Sequence, residues 1–145
     1  MSRNEHFQEA AAASRQENYH SLPYVYNVTK ALEIVGDRAP SRKVDVAGLR
    51  RAIDYGREVD VDHAMTTDVS KPLLVANHHP DVSSKPLLID GWHRAYHASE
   101  KDIPELDAVE LTPEETAQIM YTARGMERVK GVMTQPQAMK KWNRG

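Results

Sequence analysis

The stretch Pro86-Leu87-Leu88-Ile89-Asp90-Gly91-Trp92-His93-Arg94-Ala95-Tyr96-His97-Ala98 decides how the rest of the chain is read. It opens as a short apolar run led by proline, which a strand tolerates at its first residue. It passes through Asp-Gly and enters a segment of helical character that carries His93, Arg94 and His97. A strand running into a glycine turn and a helix start is a common way to hold a phosphate. Backbone N–H groups point out of such a turn, the helix N-terminus is electropositive, and Arg or His adds charge.

Working outward, Ser70-Lys71-Pro72-Leu73-Leu74-Val75 echoes Ser84-Lys85-Pro86-Leu87-Leu88-Ile89. The turn-rich Asn77-His78-His79-Pro80-Asp81 lies between them, which predicts a hairpin or two neighbouring strands in one sheet. Two copies are too few for a solenoid. Downstream, the helix after Gly91 should run to about Lys101, and Ile103-Pro104 turns the chain. Leu106-Asp107-Ala108-Val109-Glu110-Leu111 alternates apolar and polar residues, as a half-exposed strand does. Thr112-Pro113-Glu114-Glu115 has the N-cap, N1 proline and N3 glutamate of a capping box. Ala117, Met120 and Tyr121 give that helix a buried face, with Gly125 interrupting or ending it.

Upstream, residues 1–18 are polar and alanine-rich, which fits a frayed or flexible arm. Tyr19 to Tyr26 holds three tyrosines and Pro23, which argues against a central strand. The segment is expected to lie extended across the core, with an aromatic ligand platform as the alternative. Asn27 is placed to cap a helix that carries Val28, Ala31, Leu32 and Val35 on one face, with Gly36 at its C-terminal end. Asp45 is placed to cap a second helix with Val46, Leu49, Ala52 and Ile53 on one face, ended by Gly56. Residues 57–70 read as a polar connector, with Asp60, Asp62, His63 and Asp68 lacking regular metal-ligand spacing. The succession of elements predicts a small α/β or α+β domain with a mixed β-sheet and packed helices.

Composition bounds the function classes. The 145 residues allow one domain with a modest core. No apolar run is long enough to span a membrane, and the first residues show no secretory h-region. The chain has no cysteine, which removes disulfides and thiolate chemistry and fits a cytoplasmic location. A net charge of -2 gives no overall basic footprint for nucleic acid. Basic residues gather at the end (Arg124, Arg128, Lys130, Lys140, Lys141, Arg144), where they form either a solvated tail or a contact for DNA or another partner.

Three chemistries compete at residues 90–97. In the first, Gly91, His93 and Arg94 meet phosphate oxygens, with Asp90 binding Mg²⁺, taking a proton or capping the helix. In the second, His93 and His97, one helical turn apart, share a metal with His78, His79 or Asp81. Arg94 disfavours this, because a zincin helix has Glu directly after its first His. In the third, these are ordinary polar residues at a strand-to-helix corner.

Leu88 to Ala98, followed by Ile103-Pro104 and the strand Leu106 to Leu111, resembles the ParB/sulfiredoxin superfamily, most closely its ParB-like nuclease-domain branch. The likeness covers about residues 70–112. It implies a compact ParB/sulfiredoxin-like fold whose turn and helix start bind the phosphates of CTP, ATP or ADP, usually with Mg²⁺. Carried over, Gly91, Trp92, His93 and Arg94 would form the phosphate-binding turn. Asp90 would hold Mg²⁺ or act as base, and His93 and His97 would be further catalytic candidates. Trp92 stands where sulfiredoxins have cysteine, so sulfinic-acid reduction is out. Residues 112–145 are too short for both the DNA-binding domain and the dimerisation tail of partitioning ParB proteins. The expectation is a stand-alone domain over 19–125 with a basic tail over 126–145. It would bind a nucleotide or other phosphate-bearing ligand, with phosphoryl transfer or nuclease action as the reaction class, and a homodimer is compatible with it. The alternative is a non-enzymatic DNA- or protein-binding accessory factor of plasmid or phage type.

Overall fold

The computed structural model describes residues 16–122. The chain begins with two short strands, β1 (Asn18–Ser21) and β2 (Tyr24–Asn27), and continues into helix α1 (Val28–Val35). Strand β3 (Arg42–Asp45) leads into α2 (Val46–Gly56), and a single turn, α3 (Val61–Ala64), follows. Then come β4 (Leu73–Ala76), β5 (Leu87–Asp90), α4 (Trp92–Glu100), β6 (Glu105–Leu111), α5 (Pro113–Ile119) and β7 (Met120–Thr122). The domain is therefore α+β, as its residue pattern predicts.

Local chemistry places the helix ends. Asn27, Asp45 and Asp60 each accept a backbone N–H three residues on, which starts α1, α2 and α3. Thr112 and Glu115 exchange hydrogen bonds in a full capping box at α5. Gly36 closes α1 at φ +51, in the left-handed region that glycine enters freely.

The strands divide between two sheets. One is mixed and four-stranded in the order β3-β6-β4-β5, with β4 and β6 parallel and the other pairs antiparallel. The Leu73 and Leu87 runs pair as antiparallel neighbours, as their echo predicts. Both faces of this sheet are covered. Leu73, Val75, Leu88, Leu106 and Ala108 pack with Val46 and Ala98 on one side. Leu74, Ala76, Ile89, Val109 and Leu111 pack with α1 and α5 residues on the other. Side chains alternate across a strand, so all four residues of β4 are buried.

The second sheet, β1-β2-β7, departs from expectation twice. Tyr19 to Tyr26 is a hairpin turning at Leu22-Pro23, so Pro23 lies in the turn and removes no ladder hydrogen bond. Met120 and Tyr121 do not extend α5. The helix ends at Ile119, and Met120–Thr122 pairs antiparallel with β2. The spacing of Ala117, Met120 and Tyr121 suits a helix, but the open edge of β2 offers a ladder that the local pattern does not show. Residues 16–18 also belong to the fold. The Glu17 carbonyl accepts from the Val28 and Thr29 N–H groups, and the Asn27 amide donates to Gln16. Gly125 and the basic tail over 126–145 lie outside the described residues.

Candidate functional site at the start of helix α4

Strand β5 ends at Asp90, and Gly91 carries the chain into α4 at φ +117. A side chain at Gly91 would run into Leu73 Cδ2, and Leu73 is fully buried beneath it. The glycine is thus required by packing against β4.

The residues after Gly91 point in different directions. Arg94 turns back: Nη2 donates to Asp90 Oδ2 at 3.0 Å, and Nη1 donates to the carbonyls of Lys71 and Pro72. Asp90 and Arg94 are only 19% and 15% exposed, so this pair is a half-buried clamp between α4 and the lead-in to β4. Trp92 donates its indole N–H to the Leu88 carbonyl at 3.2 Å, which fixes the ring. The Arg57 guanidinium lies 3.9 Å above that ring and 5.3 Å from the Tyr19 ring. Arg57 Nε is buried without a hydrogen-bond partner among the described residues.

His93 and His97 do share a face of α4, and both meet the 57–70 connector. His93 Nε2 accepts from the Asp60 N–H at 3.4 Å, which leaves the ring proton on Nδ1. The His63 ring stands edge-on to it at 4.6 Å. Burial, followed by the nearby His63, lowers the His93 pKa, against the opposing pull of Asp60 and Asp90. His97 Nδ1 donates to the Thr67 carbonyl at 3.0 Å. His93 reaches a concave surface, whereas His97 holds the connector.

Two hollows flank the clamp. A recess of about 230 Å³ is lined by Gly91, Trp92, His93, Arg57 and Tyr19, with Glu17, Glu58 and Asp90 on its acidic side. Burial, and then the charge of Asp90, raise the Glu17 pKa. A larger cleft of about 510 Å³ lies on the other side and includes Asp90 and Arg94. The residues proposed for the phosphate turn are therefore split: Gly91, Trp92 and His93 face the recess, while Arg94 faces the cleft.

The metal candidates are dispersed. His78 Nε2 is hydrogen-bonded to the Tyr26 hydroxyl at 2.8 Å, and His79 lies 3.5 Å from Glu114. Asp60 caps α3, and Asp68 accepts from the Ser70 N–H and hydroxyl. Among the described residues, no three His, Cys, Asp or Glu side chains are grouped to hold an ion. With Asp90 engaged by Arg94, the residues present do not fit a resident Mg²⁺. Arg57, Tyr19, Glu17 and Glu58 belong to the recess but carry no motif. Only the aromatic character of Tyr19 to Tyr26 hinted at one wall.

No family model, no curated protein and no solved structure matches this chain. Among the described residues, no helix is long and apolar enough to cross a membrane.

Proposed function

We propose that this domain binds a phosphate-bearing ligand of the nucleotide class in the recess at the start of α4. The observation that carries the reading is Arg57. Its guanidinium is laid on Trp92 beside the Gly91 turn, and no carboxylate among the described residues is ion-paired with it. A guanidinium held over a ring face leaves N–H groups at its edge to meet planar or tetrahedral oxyanions. The backbone of the Gly91 turn and the electropositive end of α4 face the same space. At about 230 Å³ the recess takes the phosphates, and the rest of a nucleotide lies outside against Tyr19. The resemblance of residues 70–112 to ParB-like domains supports the same ligand class, and with it CTP, ATP and ADP as probes.

Hydrolysis or phosphoryl transfer is the reaction class such a ligand brings. His93, kept neutral by burial on the recess wall, is the side chain that would take a proton there, at Nε2, once that nitrogen is released from the Asp60 N–H. Asp90 serves by holding Arg94, and His97 by holding Thr67. A second reading rests on the sequence alone: the basic residues between Arg124 and Arg144 suit DNA. It predicts salt-sensitive binding that is lost when residues 126–145 are removed.

The test is calorimetric titration with CTP, ATP and ADP. Saturable binding that Arg57→Ala reduces at least about tenfold, roughly 1.4 kcal/mol, supports the recess. No binding of any of the three, or binding indifferent to Arg57→Ala, refutes it.

A further inference from the structure

We propose that the larger cleft beside the Asp90–Arg94 clamp is a separate ligand site, built for a small zwitterion with an apolar body. Its volume, about 510 Å³, is in the range of small-molecule sites. Its floor is apolar: Val35, Leu74 and Val109 are buried core residues on the face of the sheet that carries α1. Helix α1 supplies the lip. Val28, Ala31, Leu32 and Val35 form one apolar stripe of that helix, and three of the four are buried by the fold. Leu32 remains 44% exposed at the edge of the cleft. The uncovered part of an otherwise buried stripe faces the hollow, and an apolar ligand body in the cleft would cover it.

The charges around the rim define the ends of that ligand. Five charged side chains line the cleft, and three are already engaged. Arg38 makes a two-pronged contact with Glu115, at 2.6 and 2.8 Å, and donates to the Glu110 carbonyl. Arg94 and Asp90 hold each other. Asp37 and Lys71 remain. Neither side chain makes a hydrogen bond or ion pair among the described residues. Asp68, whose carboxylate is taken by Ser70, feels Lys71 only through space. Among the described residues the cleft thus offers one uncommitted carboxylate and one uncommitted ammonium above an apolar floor. A ligand with one cationic group, one anionic group and an aliphatic or aromatic body complements all three features. An anion alone would leave Asp37 unanswered, and a cation alone would leave Lys71 so.

The experiment is calorimetric titration of the parent protein with L-leucine and L-phenylalanine. The single-charge analogues 4-methylpentanoate and 3-methylbutylamine serve as comparators. The expected result is saturable binding of an amino acid with Kd below about 1 mM, with both analogues weaker by about tenfold or more. Asp37→Ala, Lys71→Ala and Leu32→Ser, all at exposed positions, should each weaken it several-fold, while Arg57→Ala leaves it unchanged. Absence of saturation by either amino acid up to about 10 mM overturns the proposal. So does an analogue that binds as tightly as the zwitterion, or binding indifferent to both charge substitutions. Loss on Arg57→Ala alone would place the ligand in the recess instead and equally overturn it.

Discussion

Gly91→Ala is the sharpest test of why the Asp-Gly-Trp-His-Arg turn has its glycine. Two costs add. Residue 91 sits at φ +117, where a side chain is strained by about 1–3 kcal/mol. The new Cβ also meets Leu73 Cδ2, and Leu73 is fully buried on β4 with no solvent to move into. Overpacking of that kind costs about 1–3 kcal/mol. Alanine restricts the unfolded chain and returns roughly 0.4–1 kcal/mol. The net expectation is a loss of about 1–5.5 kcal/mol, read by urea unfolding followed by far-UV circular dichroism. Leu73→Ala alone should cost about 2–5 kcal/mol through the cavity it leaves. In the double variant the collision is gone and only the backbone strain persists, because the next nearest atom, Leu73 Cα, is at an ordinary 3.5 Å. The double variant should therefore be more stable than the sum of the two singles by about 1–3 kcal/mol. A Gly91→Ala protein within about 0.5 kcal/mol of the parent would refute the packing argument, as would strict additivity.

Three further outcomes rest on the ion pairs and histidines. Arg94→Ala leaves Asp90 half-buried without its partner and frees the Lys71 and Pro72 carbonyls, so it should destabilise the domain by about 2–4 kcal/mol. Arg94→Ala/Asp90→Asn should recover part of that loss in the same urea assay, and a double variant no better than the single would count against the clamp. On pH, His93 has a folded pKa below its ordinary value, so its neutral form is the one the fold favours. Its contribution is whole above about pH 6.5 and is lost as pH falls through the lowered folded value. His78, also lowered by burial, adds to the same window. The charged and titratable groups around His93 are His63, Asp60, Asp90, Glu17, Glu58 and Arg57. Unfolding free energies between pH 7.5 and 5 should therefore slope downward, and His93→Gln should flatten that slope. An unchanged slope in His93→Gln would show that the His93 contact with Asp60 carries none of it. At lower pH, Glu115, held down to about 2 by Arg38, should lose its contribution between about 4.5 and 2.

Elements whose cause is local were legible in the residues. Asn27, Asp45 and Thr112 start helices because each side chain reaches an N–H three residues away. The paired Leu73 and Leu87 runs follow from apolar stretches led by proline. Features whose cause is a distant partner were not. Met120 and Tyr121 fit a helical face, and only the unpaired edge of β2 makes them a strand. The same division runs through the candidate site. Gly91, His93 and Arg94 stand out in sequence as a phosphate turn, yet Leu73 accounts for the glycine and Asp90 takes the arginine. Asp90 and Arg94 are opposite charges only four residues apart across the Gly91 bend, so this engagement was readable in principle. Arg57 was not, because nothing near Gly56 says that the chain folds it onto Trp92.

That contrast makes the two arginines a discriminating pair. If the sequence motif itself makes the ligand site, removing Arg94 abolishes phosphate binding in a protein that remains folded. If the fold makes it, Arg94→Ala costs stability while binding survives at temperatures where the variant is folded, and Arg57→Ala does the reverse. Arg57 is the partner that can be removed without leaving a buried carboxylate, since no ion pair holds it among the described residues. Its loss should therefore be felt in affinity and scarcely in unfolding free energy. The opposite pattern would return the site to the motif and leave the stacking of Arg57 on Trp92 as packing alone.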